Sequence, residues 1–182
     1  MSAVSVVRES GRIAGVGIVE LRAFSDERGR FMETFRREWF PQVNWDRLQM
    51  NRSDSRKQVL RGLHWHRRQV DYWVVTRGSI RAVLVDLRRS SATWRRVERV
   101  EMGADSGPGL FIPEGVAHGF LALEDATLTY VVNNYYDNSD EQGLAWDDSQ
   151  LNIPWGTEDP QLSARDRSNP TLAELEATGL PD

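Results

Sequence analysis

At 182 residues, with 40% hydrophobic and 27% charged positions, the chain is long enough to bury a substantial core as a single domain over 1–182. It contains no cysteine, which excludes a disulfide framework, a zinc ribbon and a cysteine nucleophile, and leaves only histidine and oxygen donors for any metal. The net charge of −4 is unevenly spread: residues 51–100 carry 13 Arg and Lys against 4 Asp and Glu, whereas residues 101–182 carry 2 against 16. A basic middle suits an anionic small molecule held by arginines. A pI near 5.5 and the lack of interleaved aromatic and basic repeats argue against nucleic acid as a partner.

The opening "MSAVSVVRESGRIAGVG" has no basic segment followed by a long apolar run, and no stretch approaches the roughly 18–20 apolar residues of a membrane span, so a cytoplasmic protein with no membrane partner is expected. "METFRREWF" at 32–40 predicts a short helix. Short runs rich in Val, Ile, Tyr and Trp then recur between turn signals: "YWVVTRG", "IRAVLVDLR", "WRRVERVEM", "GLFIPEG", "GFLALED" and "LTYVVNNYY". That spacing predicts an all-β sandwich or barrel rather than βαβ units. In "SIRAVLVDL", Ile80, Ala82, Leu84 and Asp86 share one face and Arg81, Val83, Val85 and Leu87 the other, so both faces are expected to be covered. A double-sheet jelly roll satisfies this. "NPTLAELEAT" at 169–178 predicts a second helix, with Asn169 as its cap and Pro170 in the first turn. No internal repeat or low-complexity linker interrupts the pattern.

The three histidines of the chain are His64, His66 and His118. The first two are spaced to project from one face of a strand, and Asp71 follows five residues later. His64, His66, Asp71 and Gly78, then Pro113, Gly115 and His118, resemble the two motifs of the cupin barrels, with Asp where Glu is usual. Three imidazole nitrogens and one carboxylate oxygen suit a divalent transition metal such as Fe, Mn, Ni, Co or Zn. A hydrogen-bonded polar corner of the core would use the same residues without a metal.

A broader resemblance runs through "DERGRFMETF", "QVLRGLHWH", "VDLRRSSATW", "IPEGVAHGFLALED", "NNYYDNSDEQGLAWDD", "LNIPW" and "QLSARD". In order and spacing these blocks resemble the dTDP-4-dehydrorhamnose 3,5-epimerase family, the RmlC-like sugar epimerases. The resemblance implies a jelly-roll homodimer acting on a nucleotide-linked 4-keto-6-deoxyhexose, with dTDP as the nucleotide. It implies inversion of C3, C5 or both next to the ketone, with no metal or redox cofactor required. A proton beside a ketone is acidic enough for a side-chain base to remove, and reprotonation from the opposite face inverts the centre. By resemblance His64 is the base, oriented by Asp166, and Tyr130 is the proton donor, with Tyr136 a further aromatic of the site. The same resemblance assigns nucleotide and pyrophosphate contacts to Arg28, Glu33, Gln49, Asn51, Arg61 and Arg165, residue types that can fork onto phosphate oxygens or read a base edge.

One corner departs from the family. Its members usually read "RGLHYQ", with a lysine seven residues before the glycine that helps stabilise the enolate oxygen; here His66 replaces the glutamine and Asp71 occupies the lysine position. A carboxylate opposes a developing oxyanion. Two accounts follow. In one, a metal on His64, His66, Asp71 and His118 replaces the lysine as the electrophile that polarises the ketone, and His64 is then a ligand and no longer the free base. In the other, His64 remains the base and Asp71 pairs with Arg67, Arg68 or His66. Beside the epimerase, a metal-dependent cupin isomerase or oxygenase using His64, His66, Asp71 and His118 is a second reading, and a sugar-nucleotide binding module without catalysis is a third.

Overall fold

The Val- and Ile-rich runs become strands that pair antiparallel throughout, in two sheets facing each other. The computed structural model describes residues 6–105 and 107–181. The six-stranded sheet runs in the order β1 (Val6–Glu9), β2 (Gly17–Glu20), β10 (Gly109–Ile112), β7 (Asp71–Arg77), β12 (Ala126–Val132) and β5 (Gln49–Ser55). The five-stranded sheet runs β13 (Gln142–Gly143), β6 (Leu60–Trp65), β11 (Val116–Ala122), β8 (Ser79–Asp86) and β9 (Val97–Gly103). A separate hairpin, β3 (Ala23–Asp26) and β4 (Gly29–Met32), stands apart from both. Alternation between sheets along the chain makes this the expected jelly roll.

Residue periodicity distributes the core as the sequence suggests. Ile80, Ala82 and Leu84 of β8 face inward and pack with Trp73, Val75, Phe120 and Leu128, filling one end of the space between the sheets. Val83, Val85 and Leu87 point outward and are covered by Leu144, Leu151, Trp155, Leu172, Leu175 and Leu180, so the C-terminal segment wraps the outer face of the five-stranded sheet. That wrapping carries the short helices α1 (Ala164–Arg167) and α2 (Leu172–Thr178), and brings α1 against β6.

Two local expectations are corrected. Residues 32–40 form no α-helix; they finish β4 and make only a single 3₁₀ turn at Arg37–Trp39. Phe35, Trp39 and Phe40 mimic helical spacing because they pack as a cluster on Tyr72 and Phe111, on the outer face of the six-stranded sheet. The C-terminal helix begins at Leu172, capped by Thr171 in a capping box with Glu174, rather than by Asn169 with Pro170 in the first turn.

Candidate active site

The other end of the inter-sheet space is a cavity of about 240 Å³. From the six-stranded sheet, inward residues at period 2 supply Gln49, Asn51 and Ser53 of β5, Asp71 and Trp73 of β7, and Leu128 and Tyr130 of β12. The five-stranded sheet supplies Arg61 and His64 of β6 and His118 and Phe120 of β11, with His66 just beyond β6. His64 and Tyr130 therefore stand on opposite sheets of one cavity.

Arg61 and His64, three residues apart, would fall on opposite faces of a regular strand. A bulge resolves this: His118 pairs with His64 but Phe120 pairs with Arg61, so β6 carries one extra residue against β11. Gly62 takes up the extra residue at φ +118°, and a Cβ there would sit 2.7 Å from the Gly119 Cα and 2.8 Å from the His118 carbonyl oxygen. Only glycine fits that approach.

His64 donates its Nε2–H to the Asp166 carboxylate at 2.7 Å, although 102 positions separate them. Asp166 sits in α1, where Ser163 caps the first turn by accepting from the Asp166 N–H at 3.0 Å. Burial opposes the charge of Asp166, but hydrogen bonds from His64, Ser163 and the Gly62 N–H together hold its carboxyl below the usual range. The other ring nitrogen, Nδ1, faces the cavity side, 3.8 Å from Glu141 Oε1. A carboxylate that fixes one imidazole N–H leaves the opposite nitrogen free to accept a proton. Tyr130 is pushed above the ordinary phenol pKa by desolvation and by the carboxylates of Asp71 and Glu141, so it holds its proton.

The expected binding residues divide into three groups. Gln49, Asn51, Arg61 and Tyr136 line the cavity; Gln49 donates to Asn51 at 2.8 Å and accepts from the Tyr136 N–H at 3.2 Å, and Arg61 is braced by Ser55 at 3.0 Å. Arg165 lies behind it, paired to the lining Glu141 at 2.7 Å. Arg28 and Glu33 lie outside the cavity of this chain, Arg28 in the turn between β3 and β4, where it pairs with Asp26, and Glu33 after β4, where it pairs with Arg36.

The four residues expected to share a metal do not all converge. Donor atoms of His66, Asp71 and His118 lie within 4.8 Å of one another, whereas the His64 ring is engaged by Asp166. His118 is a strand neighbour of His64, and Asp71 comes from the facing sheet. Burial pushes the His118 imidazole down to about 4, and its Nδ1–H donates to the Val116 carbonyl at 2.9 Å. Asp71 accepts from the Gln69 amide and the Trp73 indole, not from Arg67 or Arg68, which are drawn instead to the Gly179 carbonyl and to Asp137 and Asp140. Sequence reasoning did not single out Glu141 or Gln69. Glu141 precedes the two-residue strand β13, whose Gly143 pairs with His64, and so short a pairing leaves no periodic signal.

The family model described as dTDP-4-dehydrorhamnose 3,5-epimerase matches residues 10–174. A dTDP-4-dehydrorhamnose 3,5-epimerase of Shigella flexneri is 39% identical over 161 residues, covering 85% of this chain and 89% of the relative. The crystal structure of a 4-keto-6-deoxy sugar epimerase from the novobiocin gene cluster of Streptomyces spheroides superposes with a TM-score of 0.91 at 34% identity, covering 100% of this chain and 94% of the other. A 3'-monoepimerase from Streptomyces bikiniensis, solved in complex with dTDP-quinovose, superposes with a TM-score of 0.87 at 36% identity, covering 93% and 90%.

Proposed function

Because the chain belongs to the dTDP-4-dehydrorhamnose 3,5-epimerase family, we propose that its cavity takes a dTDP-linked 4-keto-6-deoxyhexose and inverts C3, C5 or both, with His64 as base and Tyr130 as acid. The enzyme is an isomerase of deoxysugar biosynthesis. The observation that carries the assignment of roles is the placement of His64 and Tyr130 on facing sheets of one cavity, as inversion requires. His64 Nδ1 removes the proton next to the ketone, the electron pair moves to the carbonyl oxygen as an enolate, and Tyr130 delivers its phenolic proton to the other face of the carbon. Asp166 keeps His64 in the required tautomer and stabilises the imidazolium. The step moves protons only and needs no redox cofactor.

The cavity is smaller than the roughly 300–1,000 Å³ that encloses a drug-sized ligand, which suits the sugar while the nucleotide lies along the mouth. Arg61, Gln49, Asn51 and the 66%-exposed Tyr136 line that mouth as nucleotide contacts. Arg28 and Glu33 serve the same substrate if the hairpin is contributed by a second copy, and the homodimer is part of this reading. Its support is the exposure of Phe24 (49%) and Phe31 (66%) on the hairpin, apolar surface that a second copy would cover.

The test is exchange of the protons flanking the ketone of dTDP-4-keto-6-deoxyglucose in heavy water. Wild-type protein should exchange and epimerise, and Tyr130→Phe should lose inversion by about 10²–10⁴-fold. Binding of the nucleotide sugar with no exchange at all would overturn the enzyme in favour of a binding module. Oxygen consumption with Tyr130→Phe unaffected would instead favour the oxygenase reading.

A further inference from the structure

Asp71 is a carboxylate of 3% exposure whose hydrogen-bond donors, among the described residues, are both neutral: the Gln69 amide at 3.1 Å and the Trp73 indole at 3.4 Å. His118 lies beside it, with Nε2 at 3.9 Å from Asp71 Oδ2. A buried negative charge without a cationic partner is costly. Yet two imidazoles share its corner, and the donor atoms of all three side chains lie within 4.8 Å of one another. Each fixed donor is held from behind. His118 Nδ1–H is tied to the Val116 carbonyl, which leaves Nε2 turned toward Asp71, and the Trp73 indole takes Asp71 Oδ1, which leaves Oδ2 toward the imidazoles. Hydrogen bonds on the far atom are what orient imidazole and carboxylate ligands of protein-bound metals.

The geometry points to a site for one divalent first-row transition metal ion held by His66, Asp71 and His118, with its remaining positions open to the cavity. Two imidazoles and one carboxylate are a known donor set for such ions, and no thiolate is present to select a softer one. The ion supplies the positive charge that Asp71 lacks. The Gln69 amide bridges His66 at 3.3 Å and Asp71 at 3.1 Å, so it must swing out of the cluster when the ion enters. His64 stands outside the set, bound to Asp166, which keeps base and ion separate groups of one cavity.

The role of the ion rests on the epimerase reading. Among the described residues, Arg61 is the only Arg or Lys that lines the cavity, and proton removal beside a ketone needs positive charge near the carbonyl oxygen. When bound, the ion provides that charge as a Lewis acid. The residues then divide the work: Asp166 and His64 move the proton, Tyr130 returns it, and His66, Asp71 and His118 fix the electrophile.

The experiment uses untagged protein stripped with a chelator and titrated with Co(II) alone, read by visible d–d absorption and by elemental analysis, with solvent exchange on dTDP-4-keto-6-deoxyglucose measured in parallel. One equivalent of Co(II) is expected. Asp71→Asn and His66→Gln should each weaken uptake by about 100-fold or more, and His64→Asn should leave uptake intact. Exchange should fall at least tenfold on stripping and return with the metal. No stoichiometric uptake, or uptake undiminished in Asp71→Asn, overturns the site. Stoichiometric uptake with an exchange rate indifferent to stripping overturns the catalytic role of the ion. Uptake with no exchange in either form supports the site and overturns the epimerase reading on which its role rests.

Discussion

Asp166 shows how a single residue acts through another. It touches His64 at 2.7 Å and is shielded by burial, so its task is to orient a base rather than to meet substrate. Asp166→Asn should therefore lower kcat by about 10²–10⁴-fold with KM little changed, as loss of a tautomer-fixing carboxylate does elsewhere. A rise in KM with kcat preserved would assign it to binding instead. Tyr130 has a different signature. Desolvation, with the Asp71 and Glu141 carboxylates nearby, raises its phenol, so the proton to be donated is retained through neutral pH. In chelator-stripped protein the rate should show no alkaline decline belonging to this group until above about pH 10, the ordinary phenol value, and Tyr130→Phe should remove that limb. A decline belonging to Tyr130 below that value would contradict the geometry. Neither role is legible in the local sequence. "SARD" alone reads as a loop carboxylate and "LTYVV" as core, and only the family resemblance pointed to them.

The loop after β8 illustrates the element scale. Asp86 ends that strand fully buried, and it accepts from Arg88 Nε at 2.8 Å and Nη2 at 2.9 Å, and from the Ser91 and Thr93 hydroxyls at 2.6 Å each. Burial raises its proton affinity, but these hydrogen bonds outweigh it and hold the carboxyl below the usual range. The sign follows: the native state binds this proton less readily than the unfolded chain, so the stabilisation is complete above the unfolded value near pH 4 and is lost as pH falls through the folded one. Asp86→Asn should cost about 3 kcal/mol at neutral pH and flatten the acid side of the stability profile, measured by denaturant unfolding. Strands such as β8 are legible because a short Val- and Leu-rich run between turn signals supplies apolar residues to both faces. The 32–40 segment was not, because packing of Phe35, Trp39 and Phe40 onto the sheet produces the same spacing as a helix face.

For the whole molecule, the hairpin of β3 and β4 is the informative part. It pairs with neither main sheet, exposes Phe24 and Phe31, and holds Arg28, with Glu33 just past β4, outside the cavity that Gln49, Asn51 and Arg61 line. A second copy would account for both facts at once. Light scattering should give a dimer for the wild-type chain. Phe31→Asp should shift it toward monomer and weaken nucleotide-sugar binding by tenfold or more; a monomeric, fully active wild type would remove the hairpin from the site.

The sequence by itself determined the class of fold, since strand periodicity depends only on neighbouring residues, and it determined the family, since seven motif blocks keep their order and spacing. It also marked His66 and Asp71 as the place of departure. Tertiary structure alone decided which of the clustered residues meet. The bulge at Gly62 turns Arg61 and His64 to one side, the C-terminal wrap carries Asp166 to His64, and the facing of two sheets sets Asp71 against His66 and His118 while leaving His64 out. Those outcomes depend on contacts between residues far apart in the chain, and spacing along a sequence does not encode the distance between two sheets.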